Sequence, residues 1–171
     1  MASAAYLLLD VAGIPCALPQ SDIREVLPLP RLHAPPEAGG PLAGLLNLGG
    51  APVPVVDLAA LFGLRATDPS DPYRHVVLAG DRRLGLLVDR ALDMVRVPEG
   101  SLRPVAPDRS LNGCVVAEFA QGSGQGAGQG SRLVHLLSLA RILSREERVR
   151  LDALAERARA RLTHFAVTGA A

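Results

Sequence analysis

Short apolar segments, separated by turns that contain Gly or Pro, follow one another along most of the chain. Segments of this length and spacing predict β-strands, and about nine of them predict an all-β protein built from barrels. Tyr6 to Val11 and Ile14 to Leu18 flank Ala12-Gly13 and predict a hairpin. The other predicted strands include Ile23 to Leu29, His75 to Ala79, Leu84 to Asp89, Met94 to Val97, Leu111 to Phe119 and Leu133 to Leu137.

The segment from Gly44 to Asp57 is nearly uncharged and predicts two further strands joined at Gly49-Gly50. Two adjacent glycines supply the positive φ angles that a tight hairpin turn requires. Pro52 and Pro54 lack an amide hydrogen, so we expect the second strand to be an edge strand or to turn these positions away from a neighbour. The segment predicts a shaped apolar surface that ends in a buried acid, which suits a docking module.

Two capping signals predict helices in the middle and at the end of the chain. Asp57 stands at the N-cap of a short helix from Leu58 to Phe62, which Gly63 ends. Ser144 and Glu147 form a capping box at the start of a C-terminal helix over residues 145–163. Apolar residues recur along one face of that helix, which predicts that it packs on the barrel. They are Leu151, Leu154, Ala155, Ala158 and Leu162.

The two halves of the chain have a similar order of predicted elements. Each contains a hairpin, a third strand, a connection with Pro or Gly, another hairpin and a short helix, at Asp57 to Phe62 and at Ser138 to Leu143. This repetition predicts a single domain over residues 1–171 that consists of two β-barrel subdomains. Residues 121–131 are Gly, Gln, Ser and Ala only, and they predict a flexible loop between the last two strands.

Composition and charge narrow the classes of function. With 49% hydrophobic and 20% charged residues, the chain belongs to the globular class. A net charge of +1 and only 3% aromatic residues argue against nucleic acid as a partner. The N-terminus lacks the pattern of a signal peptide, and we expect no direct membrane insertion. Cys16 and Cys114 lie far apart in apolar segments and predict buried thiols in a reducing cytoplasm.

Patterns that would indicate catalysis or metal binding are weak. The histidines are His33, His75, His135 and His164, and they lie on separate elements without metal-ligand spacing. Gly122 to Ala127 matches a dinucleotide-binding pattern, but further glycines and a strand follow where a helix has to begin. We therefore expect no catalytic residues, cofactor or metal. The alternative from another class is a small β-barrel enzyme that uses Cys16, Cys114 or a histidine.

Five segments of the chain stand in the order and spacing of a known family. They are Ile23-Arg24-Glu25-Val26, Gly44 to Gly50, Val53 to Leu58, Gly85 to Asp89 and Leu133 to Leu143. The first four are similar to the patterns V-x-E-I, G-(hydrophobic)2-N-L-R-G, V-P-I-V-D-L and G-(hydrophobic)2-V-D, and the last to a strand followed by L-x-x-L-L. Through them the chain resembles the CheW family of bacterial chemotaxis coupling proteins, from about Tyr6 to Leu154.

The resemblance implies two intertwined, five-stranded, SH3-like barrels on a common apolar core, with short helices and a C-terminal α-helix. It implies a non-catalytic adaptor in the bacterial cytoplasm, recruited to membrane receptor arrays. The implied partners are the regulatory domain of a CheA-type histidine kinase, the cytoplasmic tip of a chemoreceptor and other CheW-like domains. We expect the receptor groove between the subdomains, near Glu25 and the turn from Asn47 to Gly50.

The candidate partner-binding residues lie in the matched segments. They are Ile23, Glu25, Val26, Gly44, Leu46, Asn47, Leu48, Gly49, Gly50, Pro54, Asp57, Val88 and Asp89. Several have a structural alternative. The apolar side chains can belong to the core, Asn47 can bond the hairpin backbone, and the two aspartates can accept backbone N–H bonds at strand ends.

One position departs from the family pattern. Where the family has Arg, this chain has Gly49, in Asn47-Leu48-Gly49-Gly50. Gly supplies neither the charge nor the fork of N–H donors of an Arg side chain. The departure favours a second hypothesis, a divergent CheW-like scaffold of a non-flagellar or secondary chemosensory pathway with weakened receptor binding.

Overall fold

Alternating apolar side chains and glycine turns fold most of the chain into strands. The computed structural model describes residues 2–36, 39–66, 70–109, 113–122 and 130–168. The elements, in chain order, are β1 (Ser3–Val11), β2 (Ile14–Pro19), β3 (Ile23–Pro28), β4 (Leu42–Leu48), β5 (Ala51–Asp57), α1 (Leu58–Leu61), β6 (His75–Ala79), β7 (Gly85–Val88), β8 (Arg90–Pro98), β9 (Arg103–Pro104), β10 (Val115–Gln121), β11 (Arg132–Leu137), α2 (Leu139–Ile142) and α3 (Arg145–Thr168). Single 3-10 turns precede β3 and β9 and follow β9.

The strands form two sheets that exchange parts of the chain. The first sheet has the order β8-β1-β2-β11-β10-β9, and the second has the order β3-β6-β7-β5-β4. The N-terminal hairpin therefore joins the C-terminal strands, through a parallel pairing of β2 with β11. This confirms the prediction of two intertwined β-subdomains. The first sheet differs from the expected five strands because the two-residue β9 adds a sixth.

One apolar core lies between the two sheets, and each sheet also encloses a smaller cluster of its own. The central core contains fully buried side chains from both sheets, among them Leu9, Val11, Leu18, Val77, Leu86 and Val88. Each such side chain stabilises the fold by about 1.5–3 kcal/mol relative to exposure to water. Because this core takes residues from both sheets, the two subdomains cannot separate without exposing it.

Both predicted hairpin turns are present, and the pairing of the strand after the second turn explains how it can contain two prolines. Gly49 and Gly50 have φ angles of 61° and 89°, as a tight turn requires. β5 is not an edge strand, because it lies between β4 and β7. Its pairing with β7 begins only at Val55, beyond Pro52 and Pro54, so neither proline has to donate to that neighbour.

The helix caps form as predicted, although the helix ends differ. The carboxylate of Asp57 accepts a hydrogen bond from Ala59 N at 3.0 Å, and α1 ends one residue before the predicted Phe62. Ser144 and Glu147 exchange the two bonds of a capping box, at 2.7 and 3.2 Å. α3 continues beyond the predicted residue 163.

The apolar face of α3 packs on the second sheet over only part of its length. Leu154 and Ala158 are buried against Leu45 of β4. Leu162, which was expected to continue this face, is 47% exposed. Most of the predicted flexible loop, residues 123–129, lies outside the described residues, and so does the predicted start of a strand at residue 111.

Candidate partner-binding surface

A buried ion pair fixes the ends of the central strands. Asp57 is the last residue of β5, Arg74 precedes β6, and both side chains are almost fully buried. Arg74 donates two hydrogen bonds to the Asp57 carboxylate, at 2.8 and 2.9 Å. The predicted buried acid at Asp57 is therefore confirmed, and its charge is satisfied by a bidentate guanidinium and the N-terminus of α1.

Asp89 extends this ion pair to the other sheet. Its carboxylate accepts hydrogen bonds from Ala12 N, in the β1–β2 turn, and from Arg65, and it lies 3.4 Å from Arg74 Nε. Burial opposes the ionisation of Asp89. The bonds from Arg65 and Ala12 and the charges of Arg65 and Arg74 outweigh burial and lower the pKa of the Asp89 carboxyl. Asp89 thus serves as a structural link between the sheets.

The apolar core between the two sheets ends on one side of the molecule, where each sheet has an edge strand. β8 is an edge of the first sheet and β3 an edge of the second. β8 contacts β6, the neighbour of β3, while β1 contacts β7. The two sheets therefore stack with β8 and β3 on one side, and the core between them ends at these strands.

Two exposed apolar side chains lie on the core-facing side of these edge strands, one on each strand, and we call the edge of the molecule between them the β3–β8 cleft. Met94 of β8 pairs with Leu7, and Val26 of β3 pairs with Val77. Leu7 and Val77 belong to the central core, and cross-strand partners share a face, so Met94 and Val26 border that core. They are 47% and 37% exposed. An apolar core that continues to the surface in this way suits the apolar face of another helix.

The other predicted residues of β3 border this cleft less directly. Ile23 is half-buried and packs against the central core. Glu25 is exposed and pairs with Leu78. Because adjacent residues of a strand point to opposite faces, Glu25 and Val26 present their side chains on different faces of β3.

The Asn47 to Gly50 turn forms a separate exposed feature. β4, which leads into it, is the edge of the second sheet opposite β3, so the structure does not place Glu25 and this turn on neighbouring strands. Asn47 Oδ1 accepts a hydrogen bond from Gly50 N at 2.7 Å, which gives Asn47 its structural role. Leu48 is half-buried, whereas Asn47, Gly49 and Gly50 are exposed.

Five of the predicted partner-binding residues lie inside the protein. They are Gly44, Leu46, Pro54, Asp57 and Val88. A Cβ atom at Gly44 would lie 3.0 Å from Leu32 Cβ, so this glycine allows close packing of two backbone segments. Leu46 and Val88 belong to apolar cores and Asp57 to the buried ion pair, so the structure buries these side chains, and their part in partner binding stays a prediction.

Sequence reasoning missed Arg74 and Met94. Arg74 stands before an apolar strand, and nothing in its local pattern distinguishes it from a solvated Arg. The sequence predicts that Met94 lies in a strand, but the exposure of its side chain depends on where β8 lies in the sheet. Neither position could be identified without the pairing of distant strands.

Cys16, Cys114 and His75, which an enzyme could use, are buried or bonded to the backbone in this fold. Burial, followed by the charges of Cys114 and Asp10, raises the pKa of the Cys16 thiol to about 12, and burial raises that of Cys114 to about 11. Such thiols stay protonated and are poor nucleophiles. His75 accepts a hydrogen bond from Ala91 N at 3.3 Å. Within the described ranges, no group of three or more His, Cys, Asp or Glu side chains could hold a metal ion.

Among the described helices, none is both long and apolar enough to cross a membrane. The long helix α3 carries charged residues along its whole length up to Arg161.

Comparisons with known proteins agree with this architecture. The family model described as "CheW-like domain" matches residues 5–147. A chemotaxis protein CheW from Rhizobium meliloti is 32% identical over 118 residues, which cover 66% of this chain and 70% of that protein. A probable chemotaxis protein CheW from Rhizobium etli is 33% identical over 103 residues, or 58% of this chain, which spans less than two thirds (63%) of that relative. The crystal structure of scaffolding protein TtCheW from Thermoanaerobacter tengcongensis has a TM-score of 0.70 at 18% identity, covering 84% of this chain and 90% of that one.

Proposed function

The chain belongs to the family of CheW-like domains, as its five matched segments predict, and we propose that it couples a chemoreceptor to a CheA-type histidine kinase without a reaction of its own. Family membership makes it an adaptor or scaffold of chemotaxis signalling. The proposal adds the two partners, the absence of catalysis and a place in the cytoplasm beside membrane receptor arrays. Binding of other CheW-like domains stays a prediction of the same kind.

The observation that carries the proposal is the β3–β8 cleft. Val26 and Met94 are exposed apolar residues of the two edge strands, and each pairs with a residue of the central core, Val77 and Leu7. We expect the receptor tip to be helical, and exposed apolar side chains of this kind suit the apolar stripe of a helix. We therefore assign the receptor contact to this cleft.

The kinase contact belongs to the opposite edge of the second sheet, at the Asn47 to Gly50 turn. β4 and β3 are the two edges of that sheet, so both partners can bind at once. The adaptor then shifts the kinase equilibrium only by as much as it binds one kinase state more tightly than another.

Gly49 supports a second candidate, a divergent scaffold of a secondary or non-flagellar pathway, but its place in the Asn47 to Gly50 turn would weaken the contact proposed at that turn and not the one at the β3–β8 cleft. The position is exposed, and no atom lies within 4 Å of a Cβ built there. An Arg side chain at this position would extend into solvent, where a partner can reach it. Its absence removes a charge from a surface and leaves the packing of the fold unchanged.

Met94→Glu tests the receptor contact. A charge inside an apolar contact should weaken binding of the receptor's cytoplasmic tip tenfold or more, about 1.4 kcal/mol. Binding can be measured by calorimetry with a tip fragment from the same genome. Leu133→Glu is the matched control, since Leu133 is 49% exposed on β11, three strands from β8. Equal losses for the two variants would remove the cleft from the receptor contact.

A further inference from the structure

The outer edges of the two sheets differ in how well their main-chain groups are covered. The edge strands are β8 and β9 in the first sheet and β3 and β4 in the second. His33 and Leu45 exchange two hydrogen bonds of 2.8 Å, which cover the edge of β4. β9 has only two residues, and β3 has a register shift before Glu25 and ends in Pro28. Such features protect a sheet edge from further strands, whereas β8 is regular from Met94 to Val97, a stretch that we call the β8 edge.

The direction of the main-chain groups in the β8 edge follows from its pairing with β1. Glu99 N donates a hydrogen bond to Ala2 O at 3.2 Å, so these two residues form a hydrogen-bonded pair. Bonded and non-bonded pairs alternate along an antiparallel ladder. Counted from this pair, Met94 and Arg96 stand in non-bonded pairs, as does Pro98, which has no N–H to donate. The N–H and C=O groups of Met94 and Arg96 therefore point away from β1, toward the open side of the sheet.

These main-chain groups of Met94 and Arg96 have no partner among the residues that the structure describes. β1 is the one neighbour of β8 in the sheet, and neither residue has a bond to another described segment. Donors and acceptors at positions i and i+2 of an edge match one further strand. A helix cannot pair with them, because its own main-chain groups are bonded internally. An extended segment is therefore the occupant that can pair with all of these groups.

The side chains of the β8 edge determine the chemistry of that segment. Met94 is 47% exposed, and Arg96 is exposed as well. Their partners on β1 are Leu7 and Ala5, which are uncharged. Arg96 is the one ionisable residue from Met94 to Val97. The favourable cross-strand pairs are thus a carboxylate opposite Arg96 and an apolar side chain opposite Met94.

A second copy of this chain fits the β8 edge less well. Antiparallel pairing of two copies that bonds all of the open groups places Met94 of each copy opposite Arg96 of the other. The two Arg96 side chains then lie on one face at diagonal positions, within reach of each other. Because like charges repel, charge complementarity favours a segment of another protein.

We propose that the β8 edge binds an extended segment of another protein as an additional antiparallel strand. In that segment a Glu or Asp stands opposite Arg96, and an apolar residue two positions later stands opposite Met94. This binding does not depend on the proposed coupling of receptor to kinase. Since the bound strand would lie against Met94, it would compete with a receptor helix at the β3–β8 cleft.

The test uses the full chain, labelled with nitrogen-15, and a synthetic peptide of about seven residues with Glu-x-Val at its centre. In an NMR titration up to about 1 mM peptide, the amide signals of Met94 and Arg96 should shift saturably. N-methylation of the peptide Val should weaken binding tenfold or more, because its N–H pairs with Met94 C=O. The matched control is N-methylation of the residue between Glu and Val, whose N–H points away from β8 and should not matter.

Arg96→Gln tests the charge, because it keeps the main chain of the β8 edge. This variant should bind the Glu peptide about two- to fivefold more weakly, as expected for an exposed ion pair. Arg103→Gln is the control, since Arg103 is an exposed Arg on β9, at the opposite edge of the same sheet. Its affinity for the peptide should equal that of the unchanged chain.

Four results would overturn the proposal. The first is the absence of shifts at Met94 and Arg96 at that peptide concentration. The second is equal binding of the two N-methylated peptides, because a paired strand must distinguish them. The third is equal binding of the peptide to the Arg96→Gln and Arg103→Gln proteins. The fourth is a dimer in sedimentation whose formation shifts the same amide signals without peptide, because a second copy of the chain would then occupy the edge.

Discussion

Arg74 and Asp57 form the polar contact at the ends of the central strands. Both side chains are shielded from water, and their two hydrogen bonds measure 2.8 and 2.9 Å. A buried pair of this kind adds little stability beyond that of apolar residues of the same shape, but it is costly to break. Its role is to fix how β5, β6 and α1 meet, and Asp89 carries that fixed point across to the first sheet.

Arg74→Met should lower the free energy of unfolding by about 3–5 kcal/mol, because it leaves the Asp57 carboxylate buried without its partner. Urea denaturation measures this loss. Adding Asp57→Asn to Arg74→Met should restore part of it, since the buried charge is then gone. Arg65→Met is the control, because Arg65 is 38% exposed and its ion pair with Asp89 should contribute about 1 kcal/mol or less. Equal losses for Arg74→Met and Arg65→Met would contradict the account of the buried pair.

Gly49→Arg restores the family pattern at a position with φ of 61°. Any L-residue there is strained by about 1–2 kcal/mol, so Gly49→Arg and Gly49→Ala should both lower stability by this amount. Only Gly49→Arg should tighten binding of a partner, because it alone adds N–H donors. Calorimetry measures the binding of both variants to the kinase regulatory domain and to the receptor tip. If the Arg and Ala variants bind alike, Gly49 does not limit binding.

α3 is a long helix that depends on a short contact. Only Leu154 and Ala158 are buried in its described length, and both lie near the middle of the helix. Leu151 and Ala155 are half-buried, and Leu151 packs against the central core, whereas most of the other described side chains of the helix are exposed. The turns beyond Ala158 are exposed where their side chains are described.

Ending the chain after Ser144 should lower the free energy of unfolding by about 2–3 kcal/mol, mainly through the lost burial of Leu154. For a chain of this size the melting temperature should fall by about 4–12 °C. Ending it after Ala160 keeps Leu154 and Ala158 and should change the melting temperature little. Thermal denaturation followed by circular dichroism compares the two, and equal melting temperatures would mean that α3 does not pack on the sheet.

The local elements of the whole molecule followed from its sequence, whereas the pairing of distant segments did not. Gly49-Gly50, the Asp57 cap and the Ser144–Glu147 capping box act between near neighbours, and each is present as predicted. The parallel pairings of β2 with β11 and of β5 with β7 join segments far apart in sequence. The alternation of apolar residues in these strands is the same whichever strand lies beside them, so it does not predict their partners. The exchange of strands was predicted from the family resemblance alone.

The same dependence on the pairing of distant strands explains why only part of the predicted binding surface is exposed. Val88 and Val26 are both apolar strand residues in matched segments, yet Val88 is fully buried and Val26 is 37% exposed. The difference arises because β7 is a central strand of its sheet and β3 is an edge strand. Sequence identified the strands that carry the candidate surface, but the order of strands decides which residues reach it.

Calorimetric titration of the full chain into the regulatory domain of a CheA-type kinase from the same genome tests the adaptor function most directly. The account predicts saturable binding with one copy of the chain per kinase domain. The same titration with the Gly49→Arg protein shows whether weak binding of the original chain is caused by the missing Arg at position 49. Absence of binding for both proteins at about 100 μM, which corresponds to about −5.5 kcal/mol or weaker, would contradict the coupling function and leave the fold in place.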